Sequence, residues 1–398
     1  MSPPVDGIYL DYAATSAVRP AEVIEAVDRY LREVGATPGR SGHRLALEAG
    51  RTGLRCRRAL ARLFGWSGDP GRIAFFPNAT WALNAALHGL LRPGDAVVRT
   101  VYDHNAVRRP VALLARAGIE ERVLDATPDF DIDLAELDYL LGLGGRRARL
   151  VVVPHATNVL GSALELGEIA LYAHAHGALL LVDAAQSAGH LPIDVEATGI
   201  DLLAFTGHKG LLGPQGTGGL FVRPGVEVDA VWAGGTGGDS MPLEMPEAMP
   251  DRLEAGTLNG PGIAGLLAGV EWLAERGVDA VHARETALKL RLRDALGSIP
   301  GVRVHSPAAP EGVGIVTVSA DAVASAELAA RLDREHGVMT RAGLHCAPEQ
   351  HRLCGTEAAG AVRFSVGWAT TEAEVDAAAA AVASILEDAR ETTAAARG

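Results

Sequence analysis

The sequence predicts an α/β protein, with a large domain on a mostly parallel sheet and a smaller α+β C-terminal domain. Three observations carry this. The chain has 398 residues, beyond the size at which one hydrophobic core usually stops growing, so two domains are the default. Between residues 72 and 222 short apolar runs alternate with helical patterns. Those runs are continuously apolar, the pattern of strands buried on both faces of a parallel sheet.

In chain order, "RIAFF" reads as a strand and precedes the helical "TWALNAALHGLL". The strand "DAVVRT" precedes the helical "NAVRRPVALLARAG", and "RLVVVPH" leads towards "LGEIALYAHAHG". "ALLLVD", "LLAFT" and "GGLFV" are further strands. Residues 234–250, rich in Gly, Met and Pro, read as a lid or an interface segment. After the helix "GIAGLLAGVEWLAERG" come the strands "GVRVHSP" and "GIVTVSA", the helix "SAELAARLDREHG" and the strand "AVRFSVGW". A last helix starts near Thr371, where Thr371 and Glu374 fit a capping box, and the tail "ETTAAARG" reads as frayed.

Composition narrows the function. Hydrophobic residues make up 48% and charged residues 21%, ordinary globular usage. The net charge of −13 predicts no nucleic-acid partner and no anionic membrane surface, although a local pocket can still hold a small anion. "MSPPVDGIYLDYAATS" lacks the basic-then-apolar pattern of a targeting segment, and Asp183 interrupts the apolar "ALLLVDAAQ". Three cysteines are too few for a disulfide framework, and a reducing cytoplasm is expected.

Ligands of open α/β sheets bind beyond the carboxyl ends of the strands. Thr80 follows one predicted strand, His104 the next, Asn158 the third, Asp183 and Gln186 the fourth, and Thr206, His208 and Lys209 the fifth. Taken alone, Thr80 reads as a helix cap, His104 as a satisfied histidine and Asn158 as a turn residue. Asp183 and Lys209 are harder to dismiss, because a charge at the end of an apolar strand needs a partner. Pyridoxal phosphate accounts for the set. It needs an amine for a Schiff base, a carboxylate at its ring nitrogen, an anion pocket and a flat group over the ring. Lys209, Asp183, Thr80 and His104 supply these.

Competing motifs fit less well. "GPQGTGG" follows the lysine and leads into a strand, so it is not a dinucleotide fingerprint, and no phosphate-loop lysine motif occurs. His345, Cys346, His351 and Cys354 match no common zinc spacing, and no metal site is predicted.

"YLDYAATS", "HATNVLG", "VDAAQSAGH", "TGHKGLLGPQGTG", "LEAGTLN" and "RAGLHCAP" together resemble the class V aminotransferase family, and within it cysteine desulfurases and selenocysteine lyases. The likeness runs from Ile8 to about Ile385. It implies the PLP-dependent transferase fold type I, with a large, mostly parallel sheet of seven-stranded type. It also implies an N-terminal segment, 1–20, packing on the small domain, a cofactor-binding domain over 21–255, and a small domain over 256–398 that carries the Cys346 loop. By the resemblance Lys209 carries the cofactor, Asp183 pairs with its ring nitrogen, Gln186 meets its ring hydroxyl and His104 stacks on it. Ala79, Thr80, Thr206 and His208 hold the phosphate. Gly256 and Thr257 complete that pocket across a homodimer. Asn158 and Arg363, with Arg341 beside them, bind the substrate α-carboxylate, a task suited to a guanidinium fork.

Cys346 decides the reaction. Cys56, in the helical "GLRCRRALARLF", reads as a small buried hydrophobe, and Cys354 as structural. Cys346 lies in the polar "TRAGLHCAPEQH", with Arg341 and His345 expected as positive neighbours that favour the thiolate. The leading expectation is a cysteine desulfurase. L-Cysteine becomes alanine, and Cys346 receives the sulfur as a persulfide for a thiol acceptor such as a sulfur-acceptor protein. His104 is a candidate proton shuttle. Selenocysteine lyase is the nearest alternative, acting on L-selenocysteine. An aminotransferase or epimerase would need Lys209 but not Cys346, and a non-catalytic sulfur-carrier-binding module is a further alternative. Leu344 departs from the best-known desulfurase pattern, where a histidine is common.

Overall fold

A computed structural model describes residues 6–38, 42–127, 131–238, 241–308 and 311–397, except the side chains of 393–397. It divides into two compact units: Arg19–His155 with Leu164–Val278, and Met1–Val18 with Ala156–Ala163 and Asp279–Gly398.

The chain enters the smaller unit through the short strand β1 (Ile8–Tyr9). The larger unit then begins with α1 (Ala21–Arg29) and α2 (Arg44–Leu63). Strands and helices alternate from there: β2 (Ile73–Phe76), α3 (Ala79–Leu90), β3 (Ala96–Thr100), α4 (Asn105–Ala115), β4 (Glu120–Leu124), α5 (Leu134–Gly142), β5 (Leu150–Pro154) and α6 (Leu166–Ala175). The strands β6 (Leu179–Asp183), β7 (Leu202–Thr206) and β8 (Gly218–Val222) follow, then α7 (Gly260–Arg276). The seven strands form one sheet in the order β2-β8-β7-β6-β5-β3-β4. Only β8 runs against its neighbours.

The sheet owes its burial to its sequence. Every residue of β2, β3, β5, β7 and β8 is buried. The apolar face of α3, including Leu83, Leu87 and Leu90, packs into the same core as Val97, Val152 and Leu181. The edge strand β4 escapes the apolar-run criterion because it reads Glu-Glu-Arg-Val-Leu. Its Arg122 is buried through bonds to Glu120 and to carbonyls of α5, and Glu121 pairs with Arg99 of β3. Charge on an edge strand also disfavours sheet-to-sheet association.

The junction between units falls at Val278–Asp279, beyond the expected 255/256, because α7 packs on α1 and α2 within the larger unit. A Cβ on Gly265 would lie 2.7 Å from Val27 and from Pro214, so glycine sets that close approach.

The smaller unit continues with α8 (Val278–Gly297), β9 (Val302–Val304), β10 (Ile315–Ala320), α9 (Ser325–His336), β11 (Val338–Met339) and β12 (Arg341–Gly343). It ends with α10 (Pro348–Leu353), β13 (Ala361–Ser365) and α11 (Glu372–Arg397). An antiparallel sheet orders β12-β13-β10-β9, and β1 pairs in parallel with β11. Its core joins Leu288, Leu292 and Leu296 of α8 to Val316, Phe364, Val382 and Ile385. The capping box forms, since Glu374 N donates to Thr371 Oγ1 and the Glu374 carboxylate accepts from Thr371 N. The tail read as frayed continues α11 to Arg397, as its three alanines, Glu391 and Arg397 favour helix. Among the described residues no helix is long and apolar enough to cross a membrane.

Candidate active site

Because β8 alone is reversed, the carboxyl ends of β2, β3, β5, β6 and β7 share one edge of the large sheet. At the first of these ends Asn78 caps α3, accepting from Trp81 N at 3.1 Å. Ala79 is buried and Thr80 exposed in the first turn, where backbone N–H groups have no intrahelical acceptor. At the second, His104 caps α4, its Nδ1 accepting from Ala106 N at 3.0 Å. In the neutral ring that leaves the proton on Nε2.

Asp183 ends β6 with only 6% of its surface exposed. Burial raises its pKa, while the Ala185 N–H on Oδ1 and the positive charge of Lys209 oppose the rise. A carboxylate so desolvated fits a cationic ring N–H. Gln186, three residues further on, is also buried. At the end of β7, Thr206 is buried and its Oγ1 has no partner among the described residues. Unpaired buried hydroxyls are uncommon, and this one fits a ligand oxygen. Burial, then the charges of Lys209 and Arg19, lower the His208 pKa to about 4, so its ring is neutral at pH 7.

Lys209 sits in a turn fixed by its own backbone. Leu212 N donates to Lys209 O at 2.9 Å, and Gly213 N to Gly207 O at 2.7 Å. Lys209 is half-buried. A Cβ on the next residue, Gly210, would come within 2.5 Å of Ala188 O and of His190. Glycine therefore lets the lysine turn lie against the loop after β6, which carries Gln186.

Gly256 and Thr257 line a cavity of about 480 Å³ with Phe75, Pro77, Trp81 and Trp232. Their segment is anchored by the preceding Glu254. Its carboxylate takes a two-pronged bond from Arg57 at 2.8 Å per contact and accepts from Phe75 N at 2.6 Å.

In the smaller unit, Asn158, Arg363 and the Cys346 loop form one hydrogen-bonded cluster. Arg363, on β13, is 2% exposed. Its Nη1 donates to Asn158 O at 2.9 Å and its Nη2 to Asp11 Oδ1 at 3.1 Å, while Nε is buried with no partner among the described residues. Burial lowers the Arg363 pKa, with Asp11 and Cys346 pulling the other way. Asn158 Nδ2 donates to His345 O at 2.7 Å, and Gln350 Nε2 to Asn158 Oδ1 at 3.1 Å. Arg341 stands opposite Arg363 in the β12–β13 register and is exposed.

Cys346 is exposed, whereas Cys56 is buried and Cys354 half-buried. Burial pushes the Cys56 thiol up to about 12 and the Cys354 thiol up to about 11. His345 and Cys346 both adopt left-handed backbone, with φ of 48° and 58°, which costs about 1–3 kcal/mol for each non-glycine residue. His345 is not the positive neighbour expected of it. Burial and the Arg363 charge lower its pKa to about 3, so it is neutral where Arg363 remains charged. Its ring instead bonds to His351 and to Arg341 O.

A model of the family described as "Aminotransferase class-V" matches residues 8–378. The chain belongs to that family. Its cofactor is pyridoxal 5′-phosphate, and Asp183, Thr206 and the start of α3 fit that group in the ways just described. A protein of Methanothermobacter thermautotrophicus named "Probable cysteine desulfurase" is 34% identical over 93% of this chain and 92% of its own. The apo structure of a cysteine desulfurase from Thermococcus onnurineus NA1 superposes with a TM-score of 0.89 at 30% identity, covering 96% of this chain and 95% of that one. The cysteine desulfurase CsdA from Escherichia coli does so with a TM-score of 0.86 at 28% identity, covering 96% and 95%.

Sequence reasoning gave no site role to four residues, Asp11, His351, Thr356 and His155. Asp11 carries a charge within the quoted "YLDYAATS", the one available signal for its pairing with Arg363. His351 and Thr356 flank Cys354 and were separated from Cys346 only by a helical turn. His155, whose Nδ1 is buried without a partner among the described residues, has its pKa lowered by burial to about 4.

Proposed function

We propose that this class V enzyme is a cysteine desulfurase, converting L-cysteine to L-alanine and passing the sulfur through Cys346 to a thiol acceptor. The observation that carries the reading is the exposed Cys346 in one hydrogen-bonded cluster with Arg363 and Asn158. An aminotransferase or epimerase has no use for such a thiol.

Ala79, Thr80, Thr206 and His208 hold the cofactor phosphate, Gln186 its ring hydroxyl and Asp183 its ring nitrogen, with His104 over the ring and Lys209 as the covalent anchor. Bound there, pyridoxal phosphate supplies the electron sink for negative charge at the substrate Cα. The Arg363 fork, with Asn158 and Arg341, binds the α-carboxylate. Lys209 Nζ would take the Cα proton. The Cys346 thiolate attacks the substrate sulfur as the substrate's Cβ–S bond breaks. The bonding pair stays with the carbon skeleton, which is protonated to alanine, and His104 Nε2 handles a proton at the substrate sulfur. The balance is cysteine plus Cys346 thiol giving alanine plus Cys346 persulfide. An acceptor thiol then takes the outer sulfur and restores Cys346.

Membership of the class V family supports a homodimer, in which Gly256 and Thr257 of the partner subunit complete the phosphate pocket. The need for a free Cys346 thiol supports a reducing cytoplasm. The test is alanine release from L-cysteine and from L-selenocysteine by the wild type and Cys346→Ala. Loss of the cysteine reaction alone in the variant is expected, because selenium leaves without a thiol nucleophile. No alanine beyond one equivalent of wild-type enzyme, with a reductant present, contradicts the reading.

A further inference from the structure

Four groups behind Cys346 bond in a line. Thr356 Oγ1 lies 2.7 Å from His351 Nδ1. His351 Nε2 lies 2.9 Å from His345 Nδ1, and His345 Nε2 lies 3.0 Å from Arg341 O. The carbonyl at the end accepts only, so His345 Nε2 carries the proton and its Nδ1 must accept. His351 Nε2 therefore donates, and its Nδ1 accepts the Thr356 hydroxyl. All three positions are fixed by one carbonyl. The His345 and His351 side chains are buried, and their rings lie edge to edge, with centroids 5.1 Å apart and planes 24° apart.

We propose that His351 and Thr356 are positioning residues for the sulfur-accepting loop, acting through His345 to hold Cys346 in its left-handed backbone. The argument is geometric. Two successive non-glycine residues in left-handed backbone persist only where their surroundings over-determine them. His345 is held at three points: ring Nδ1 by His351, ring Nε2 by Arg341 O, and its carbonyl by Asn158 Nδ2. The same loop reaches Asn158 a second time through Gln350, so thiol placement and the Asn158 amide are set by one network. The lowered His pKa values, about 3 and about 4, keep the line uncharged and intact through neutral pH.

The proposal rests on the desulfurase reading for its kinetic readout alone. Full-length, pyridoxal phosphate-loaded His351→Leu and His351→Gln are compared with the wild type. Gln can donate to His345 and accept from Thr356, whereas Leu can do neither. Two quantities are read: kcat and KM for alanine formation, and amide hydrogen exchange across residues 343–350. His351→Leu is expected to lower kcat about tenfold or more with KM within about threefold, and to speed loop exchange about tenfold. His351→Gln is expected to restore both to within about threefold. If His351→Leu fails to fold, Thr356→Val, which removes only the terminal donor, is read for the same split. Wild-type kcat and exchange in the folded variants overturn the proposal, as does a Gln variant as impaired as Leu. A wild type that makes no alanine sinks the desulfurase reading instead, and leaves the exchange comparison to decide the loop.

Discussion

The Arg363 guanidinium grips Asn158 O at 2.9 Å and Asp11 at 3.1 Å, and its Nε–H is buried with no acceptor among the described residues. A buried donor left open in this way costs about 1–3 kcal/mol, an arrangement retained where a ligand supplies the acceptor. Arg363→Lys keeps the charge and loses the fork. It is expected to raise KM for L-cysteine about tenfold to a hundredfold, with a smaller change in kcat. Steady-state kinetics check this, and an unchanged KM contradicts a carboxylate role.

Lys209→Ala is expected to retain pyridoxal phosphate without a covalent bond, through Asp183, Thr206 and the start of α3. Borohydride should then fix cofactor to the wild type but not to the variant, and alanine production should stop. Multiple turnovers by Lys209→Ala would be incompatible with its assigned role.

The buried Arg57–Glu254 pair tethers the segment carrying Gly256 and Thr257 to α2 and β2. Arg57→Met leaves the Glu254 carboxylate buried and unpaired, and is expected to cost about 3–5 kcal/mol, read by urea denaturation. Adding Glu254→Gln, which still accepts from Phe75 N, should recover part of that loss. A single variant within about 0.5 kcal/mol of wild type would show that the pair contributes little.

Much of this was legible in the chain itself. Continuous apolar strands such as "RLVVV" and "LLAF" forecast the buried sheet, and the charges that follow them fall along one edge of it. Asp183 and Lys209 stood out because charge after an apolar strand demands a partner. What escaped depended on tertiary packing. β4 is charged, and it is a strand because it pairs with β3. Glu254 and Arg57 are far apart in sequence, and nothing local marks them as a pair. His345 was taken as a cation because proximity in sequence does not reveal burial, and burial is what keeps it neutral.

His345 and His351 also predict an acid response. Their folded pKa values, about 3 and about 4, lie below the ordinary 6.5, so the unfolded chain binds more protons between those values. Their contribution to stability is therefore complete above about pH 6.5 and declines as pH falls towards 4. Urea midpoints from pH 7 to 4.5 should fall, and His351→Gln should show a shallower fall. Equal slopes would contradict neutral, buried imidazoles in the folded chain.

The most direct measurement is mass analysis of the cysteine-bearing peptides after the cofactor-loaded enzyme meets one equivalent of L-cysteine without an acceptor thiol. One extra sulfur on the Cys346 peptide, none on those of Cys56 or Cys354, and a matching equivalent of alanine are predicted. Alanine formed with no sulfur on Cys346, or sulfur found on another cysteine, would contradict the account.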